Sequence, residues 1–151
     1  MYQDTDHIYL RNFERKDKEI IGRCVAHRIP FGPKGIVNAS VKEIIQEIEY
    51  ESILIIADKK SDTMLGTIEF IKIGNILISD CWLFPWYEDN TSFDAEAIEK
   101  FIIYVKESRP KIKKIRIYVS DEKPNLKMAV MKNGFTKIKK PNWSNQWEII
   151  L

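Results

Sequence analysis

Hydrophobic positions along the chain follow two periods in turn, and the changes between them mark the elements. From His7 to Phe13, apolar Ile8 and Leu10 alternate with their neighbours, the period of two that belongs to a half-buried strand. From Asp17 to His27, Ile20, Ile21, Cys24 and Val25 recur at helical spacing until Pro30, Gly32, Pro33 and Gly35 break the segment into a loop. Ser40 and Glu43 have the spacing of a capping box. Val41, Ile44, Ile45 and Ile48 then repeat at i, i+3, i+4 and i+7, which predicts a second helix. Three strands follow as an antiparallel meander, Ile53 to Ala57, Leu65 to Ile73 and Ile76 to Phe84, joined by turns at Asp58 to Asp62 and at Gly74-Asn75. Asp94 to Glu107 carries Ala97, Ile98, Phe101, Ile102 and Val105 on one helical face, with Pro110 beyond its end. Ile115, Ile117 and Val119 alternate as a strand, and Pro124 opens a short helix with Gly134 at its C-cap. Phe135 to Ile138 and Trp147 to Leu151 close the chain as a hairpin around a Pro-Asn loop.

The order is β-α-α-β-β-β-α-β-α-β-β. A helix joins the strand ending at Phe84 to the one starting near Ile112, and such a crossover makes the two parallel neighbours. The expected fold class is α/β in the α+β sense: a mixed, mostly antiparallel sheet of about seven strands with helices on both faces. With 151 residues, 1–151 reads as a single domain.

Composition narrows the functions. Hydrophobic residues are 44% and charged residues 30%, enough to close a core without disulfide staples. Apolar runs such as Ile53 to Ala57 and Ile76 to Ile78 fall far short of the ~20 residues a bilayer helix needs, and no basic-then-apolar leader precedes Ile8. A soluble, cytoplasmic protein with no membrane partner is expected. A formal net charge of +2 argues against a general nucleic-acid binder. The basic excess is local, from Lys111, Lys113, Lys114 and Arg116 to Lys137, Lys139 and Lys140. It suits one phosphorylated ligand, or simply a solvated lysine face. Cys24 and Cys81 have neither metal-ligand spacing nor the density of a disulfide framework, and no metal is expected.

Five fragments stand in a telling order: Ile8-Tyr9-Leu10-Arg11, Leu65-Gly66-Thr67-Ile68, Cys81-Trp82-Leu83-Phe84-Pro85, Glu96-Ala97 and Lys132-Asn133-Gly134-Phe135. Over nearly its whole length the chain resembles the GCN5-related N-acetyltransferases. Its Trp-Leu-x-Pro strand end is similar to the branch that acetylates ribosomal-protein N-termini and related amines. The resemblance implies acetyl-CoA or another acyl-CoA as co-substrate, with the pantetheine arm between the fourth and fifth strands. It also implies a thioester carbonyl polarised by a backbone N–H near Leu83 or Phe84. The pyrophosphate would rest near Asn90, Thr91 and Ser92 at the start of the next helix, with Asn125 and Lys127 contributing from the short helix. The acceptor would be a small-molecule or peptide amine, and the resemblance allows a homodimer.

The chain departs from that family in two places. The family's phosphate loop reads Gln/Arg-x-x-Gly-x-Gly/Ala, whereas Trp86 to Glu96 contains no glycine and carries Glu88, Asp89, Asp94 and Glu96. Glycine lets a backbone approach phosphates closely. Each close like-charge pair costs ~1 kcal/mol or more at an effective dielectric near 20. For Asp94 and Glu96, stabilising the helix dipole is the simpler explanation. In the short helix, Val130 replaces the family's tyrosine, and Asn125 meets the family's asparagine only with a gap, because Lys123 has its spacing. One reading is therefore an N-acyltransferase working by direct attack. The other is a catalytically inactive binding or interaction module that has lost the cofactor loop. A third keeps the enzyme and holds CoA through Lys123, Lys127 and Lys132.

Acyl transfer requires a neutral amine and hence a base. Asp80 and Glu69 are acidic residues among apolar strand neighbours, where burial raises a carboxyl pKa. Asp80 ranks first, since it shares a strand face with Phe84; an outward-facing polar residue is the alternative for each. His7 and His27 rank below them. Acceptor specificity is expected from Arg28 to Asn38 and from Lys139 to Gln146. Phe31, Trp143, Trp147, Trp82, Trp86 and Tyr87 are candidates for an apolar slot, with plain core packing favoured for Trp82 and Trp147. No Ser-His-Asp order, HExxH, CxxC or P-loop pattern occurs.

Overall fold

The computed structural model describes residues 6–50, 52–87, 91–140 and 145–151, leaving out the side chains of residues 50, 91 and 92. One sheet runs in the order β1-β2-β3-β4-β5-β7-β6. Its strands are β1 Ile8–Arg11, β2 Ser52–Asp58, β3 Met64–Ile73, β4 Ile76–Leu83, β5 Lys114–Tyr118, β6 Thr136–Lys137 and β7 Gln146–Ile150. Four helices, α1 Lys18–Ala26, α2 Val41–Tyr50, α3 Thr91–Ser108 and α4 Pro124–Lys132, complete the expected order. The described neighbours pair antiparallel apart from β4 and β5, which are parallel as the crossover through α3 requires.

Local chemistry fixes the ends of several elements. The capping box at α2 is reciprocal: the Glu43 amide donates to Ser40 Oγ at 3.1 Å and the Ser40 amide to Glu43 Oε1 at 3.2 Å. At the end of α4, Gly134 takes φ +88°. There its amide donates to the Met131 carbonyl at 3.1 Å and the Phe135 amide to Val130 at 3.0 Å, a Schellman motif that satisfies two orphan carbonyls. Helix α3 begins at Thr91 rather than Asp94, which adds a first turn that its small polar residues disguise as loop.

Each sheet face carries its own core. Ala97, Ile98, Phe101 and Val105 of α3 and Leu126, Ala129 and Val130 of α4 pack on Leu54, Ile68, Leu77, Ile115 and Ile117. On the other face Ile20, Ile21 and Cys24 of α1, Ile44 and Ile48 of α2 and Phe31 pack on Ile55, Met64, Trp82 and Phe84. The motif residues of the sequence do structural work here. Arg11 grips Asp17 through two guanidinium nitrogens, both at 2.8 Å, and reaches Asp62 at 2.8 Å, joining β1, the start of α1 and the β2–β3 turn. The Glu96 carboxylate of α3 accepts the His7 and Ile8 amides at 2.8 and 3.2 Å and the His7 ring at 2.6 Å, which ties β1 to that helix. Gly66 lies opposite Leu83, where a Cβ would stand 2.0 Å from the Trp82 carbonyl oxygen; only glycine admits so close a strand approach. Among the described residues, no helix is long and apolar enough to cross a membrane.

Candidate active site

The parallel pairing of β4 and β5 runs from Ile76 opposite Lys114 to Ser79 opposite Ile117 and ends there. Strand β4 continues to Leu83, so the sheet opens between them. The direction of the backbone groups follows from one bond. The Phe84 amide donates to the Leu65 carbonyl of β3 at 2.9 Å. Successive strand amides point to opposite edges, so the Leu83 amide points the other way, into the opening toward β5. Phe84 is engaged with β3, and Leu83 is the residue whose amide faces the gap.

That opening leads into a cavity of about 240 Å³ lined by Cys81, Trp82, Leu83, Asp94, Glu122, Lys123, Pro124, Asn125 and Leu126. Its floor is β4, and its walls are the first turns of α3 and α4. The charges on the walls are mixed. Asp94 is only 7% exposed, so it is built into the wall rather than dangling at a helix end. Lys123 faces the same space. Burial first, and then the charges of Asp94 and Asp80, push the Cys81 pKa well above its ordinary value against the opposing pull of Lys123. Cys81 is therefore a thiol at neutral pH and a poor nucleophile. A second hollow, about 560 Å³ between α3 and α4, shares Asn125 with the first and includes Glu96, Glu99, Met128 and Lys132.

On the opposite face of β4 lies a third cavity, about 390 Å³, lined by Lys34, Ser52, Glu69, Phe70, Ile71, Lys72, Ile78 and Asp80. Glu69 and Asp80 are direct cross-strand partners. Glu69 is 8% exposed, beneath the loop that joins α1 to α2. Burial raises the Asp80 pKa from its ordinary value, and Lys34 partly offsets that rise. The same loop is pinned by rings: Phe31 lies 5.1 Å from Trp82, Trp82 4.8 Å from Phe84, and Phe84 stacks on Trp86 at 4.8 Å and 6°.

No protein-family model and no curated protein matches the sequence. Solved structures do match the fold. An acetyltransferase of the GNAT family from Bacillus anthracis superposes with a TM-score of 0.72 at 16% identity, covering 99% of this chain and 98% of the other. A spermidine N-acetyltransferase from Vibrio cholerae, solved in complex with CoA and spermine, gives 0.70 at 18% identity over 95% of each chain. The chain has the GCN5-related N-acetyltransferase fold. A proposed ribosomal-protein-serine acetyltransferase from Vibrio cholerae shares that fold with a TM-score of 0.69 at 14% identity, covering 98% of this chain and 96% of the other.

Within the acetyltransferase fold, the residues singled out in the sequence separate into groups. Leu83 and Asn125 line the β4–β5 cavity, and Glu69 and Asp80 share the cavity on the other face. Phe84 is fully buried beneath Phe31 and Trp82. Lys127 is exposed and lines none of these three cavities; Lys123, one turn earlier, lines the cleft in its place. Asn90, together with Glu88 and Asp89, lies outside the described residues, as do the side chains of Thr91 and Ser92, although Thr91 opens α3. Trp143 is also outside them. Trp82 and Trp147 are core residues at 8% exposure, and Val130, where the family places tyrosine, is fully buried. Asp94, for which the sequence favoured a helix-dipole role over one toward phosphates, is buried in the cleft wall.

Proposed function

We propose that the protein is an N-acyltransferase that moves an acetyl group from acetyl-CoA to a primary amine by direct attack. The observation that carries this reading is the Leu83 amide directed into the gap where β4 and β5 part. Bound acetyl-CoA supplies an activated thioester. The residues fit its arm: a narrow slot with strand-edge amides, the Asn125 side chain and apolar Leu126 suits an amide-bearing chain. The phosphates fit less simply, since the first turn of α3 and Lys123 attract them while Asp94 opposes.

The chain's own groups have separable tasks. The Leu83 N–H donates toward the oxygen on which negative charge grows during attack. Asp80, assisted by Glu69, holds the ammonium end of the acceptor and takes its proton, directly or through a water. Its raised pKa makes it a better proton acceptor than an exposed aspartate. Cys81, held as a thiol, stays out of the covalent chemistry, which favours direct transfer over an acyl-enzyme. The gap between the strands lets a donor on the α3–α4 side meet an acceptor on the α1–α2 side. We also propose that the unit is one domain acting on a small-molecule or peptide amine.

The test is thiol release from acetyl-CoA over a panel of amines and short peptides. Release that requires the amine is expected. Its absence with every acceptor, alongside tight binding of CoA, would leave the inactive binding module as the better reading.

A further inference from the structure

The cavity over Glu69 and Asp80 is polar at one end and apolar at the other. Counting along the β3–β4 ladder from the carboxylate pair, the next row on the same face is Ile71 opposite Ile78, and the row after it is Ile73 opposite Ile76. Among the described residues these rows stay open at β3, where Ile71 is 61% exposed and Ile73 56%. Lys34 completes the lining beside that apolar wall, and Lys72, between Ile71 and Ile73, directs its side chain to the other face of the sheet.

We infer that the acceptor is an amine with a single cationic end followed by an apolar stem and a neutral or anionic far end, rather than a polyamine. This deepens the reading of the site given above and rests on it. Like charges directly opposed on a sheet repel, and an ammonium set between Glu69 and Asp80 relieves that repulsion. Lys34 is close enough to Asp80 to act on its carboxyl, and its Nζ also lies 3.7 Å from Glu47 Oε1. It therefore has a second carboxylate to turn to when an amine enters. It sits in a tight turn closed by paired Phe31 and Ile36 backbone bonds of 2.8 Å, in which Gly32 and Gly35 hold φ of +76° and +65°. Beyond the carboxylates, an apolar stem covers Ile71 and Ile78. A second ammonium on that stem would be desolvated against isoleucine in a cavity whose own face already carries the Lys34 ammonium.

The test is a binding titration of the full chain with hexylamine, 6-aminohexanoate, 1,6-diaminohexane and spermidine, followed by NMR with and without CoA. Hexylamine and 6-aminohexanoate are expected to bind about tenfold more tightly than the two polyamines. Ile71→Ser, at an exposed position, should reduce the affinity for hexylamine, and Ile71→Glu should shift preference toward the diamine. Equal or tighter binding of spermidine, or a preference that neither variant moves, overturns the inference. Acetyl-CoA binding in the same samples separates the two claims. Monoamine preference without CoA binding removes the transferase reading alone, and CoA binding with polyamine preference removes this one alone.

Discussion

Glu69 of β3 and Asp80 of β4 stand directly opposite each other in the antiparallel ladder. Burial at Asp80 disfavours its charged form and raises its pKa, and the Lys34 charge partly offsets that rise. A folded pKa above the unfolded one means that ionisation opposes folding at neutral pH. Asp80→Asn should therefore raise the melting temperature at pH 7 while lowering amine-dependent acetyl transfer by about 10²–10⁴-fold. The acid limb of the wild-type kcat/KM profile should lie above the ordinary aspartate value of 3.8. A variant that loses both stability and activity would point to a structural role instead.

If the cleft takes acyl-CoA as proposed, its charges set how the phosphates are received. Lys123 lines the cavity and Lys127 does not. Lys123→Glu is expected to weaken acetyl-CoA binding about tenfold, and Lys127→Glu to change it less than about twofold. Asp94→Asn should tighten binding several-fold, because the carboxylate is buried beside the anion's path. Calorimetric titration of the three variants checks the order.

Gly66→Ala should be among the most damaging small substitutions in the chain. The added methyl would meet the Trp82 carbonyl oxygen at 2.0 Å and Leu83 Cα at 2.7 Å, all backbone that cannot turn aside. A loss on the order of 3 kcal/mol or more is expected, from strand separation rather than from a cavity. Urea denaturation measures it, and in any variant that still folds, displacement of Leu83 should abolish cofactor binding.

The fold was legible because strand and helix periods change cleanly along the chain and because caps and turns agree with them. Ser40 and Glu43, Pro124 and Gly134 each mark an element end that the structure repeats. The first residues of α3 were not legible, since Thr91 and Ser92 ahead of Asp94 read as loop formers, yet the helix begins at Thr91. The carboxylate pairing was open to reading but went unread. A two-residue turn at Gly74-Asn75 sets Ile73 opposite Ile76 and, counting back, Glu69 opposite Asp80. The β4–β5 opening was different in kind: hydrophobic period says which face a residue takes, and not where two parallel strands cease to pair. The exchange of Lys127 for Lys123 follows from the same gap, because the cleft-facing side of α4 depends on where the strands part.

Acid should loosen the far end of the sheet first. Asp62 accepts bonds from Tyr9, Lys16 and Arg11, with Arg11 Nε at 2.8 Å, and these hold its pKa far below the ordinary 3.8. A depressed carboxylate pKa contributes stability that is complete above the unfolded value and is lost as pH falls below it. The urea midpoint should therefore drop between about pH 4 and pH 2 more steeply in the wild type than in Asp62→Asn. Parallel curves for the two proteins would show that the network contributes nothing net.

The central claim is that the gap between β4 and β5 receives an acyl-CoA despite a glycine-free entrance. Isothermal titration of the full chain with acetyl-CoA tests it directly. One site with a micromolar dissociation constant, about −8 kcal/mol, is predicted, together with weaker binding by Lys123→Glu. No heat at millimolar acetyl-CoA, and no rise in melting temperature, would contradict the account.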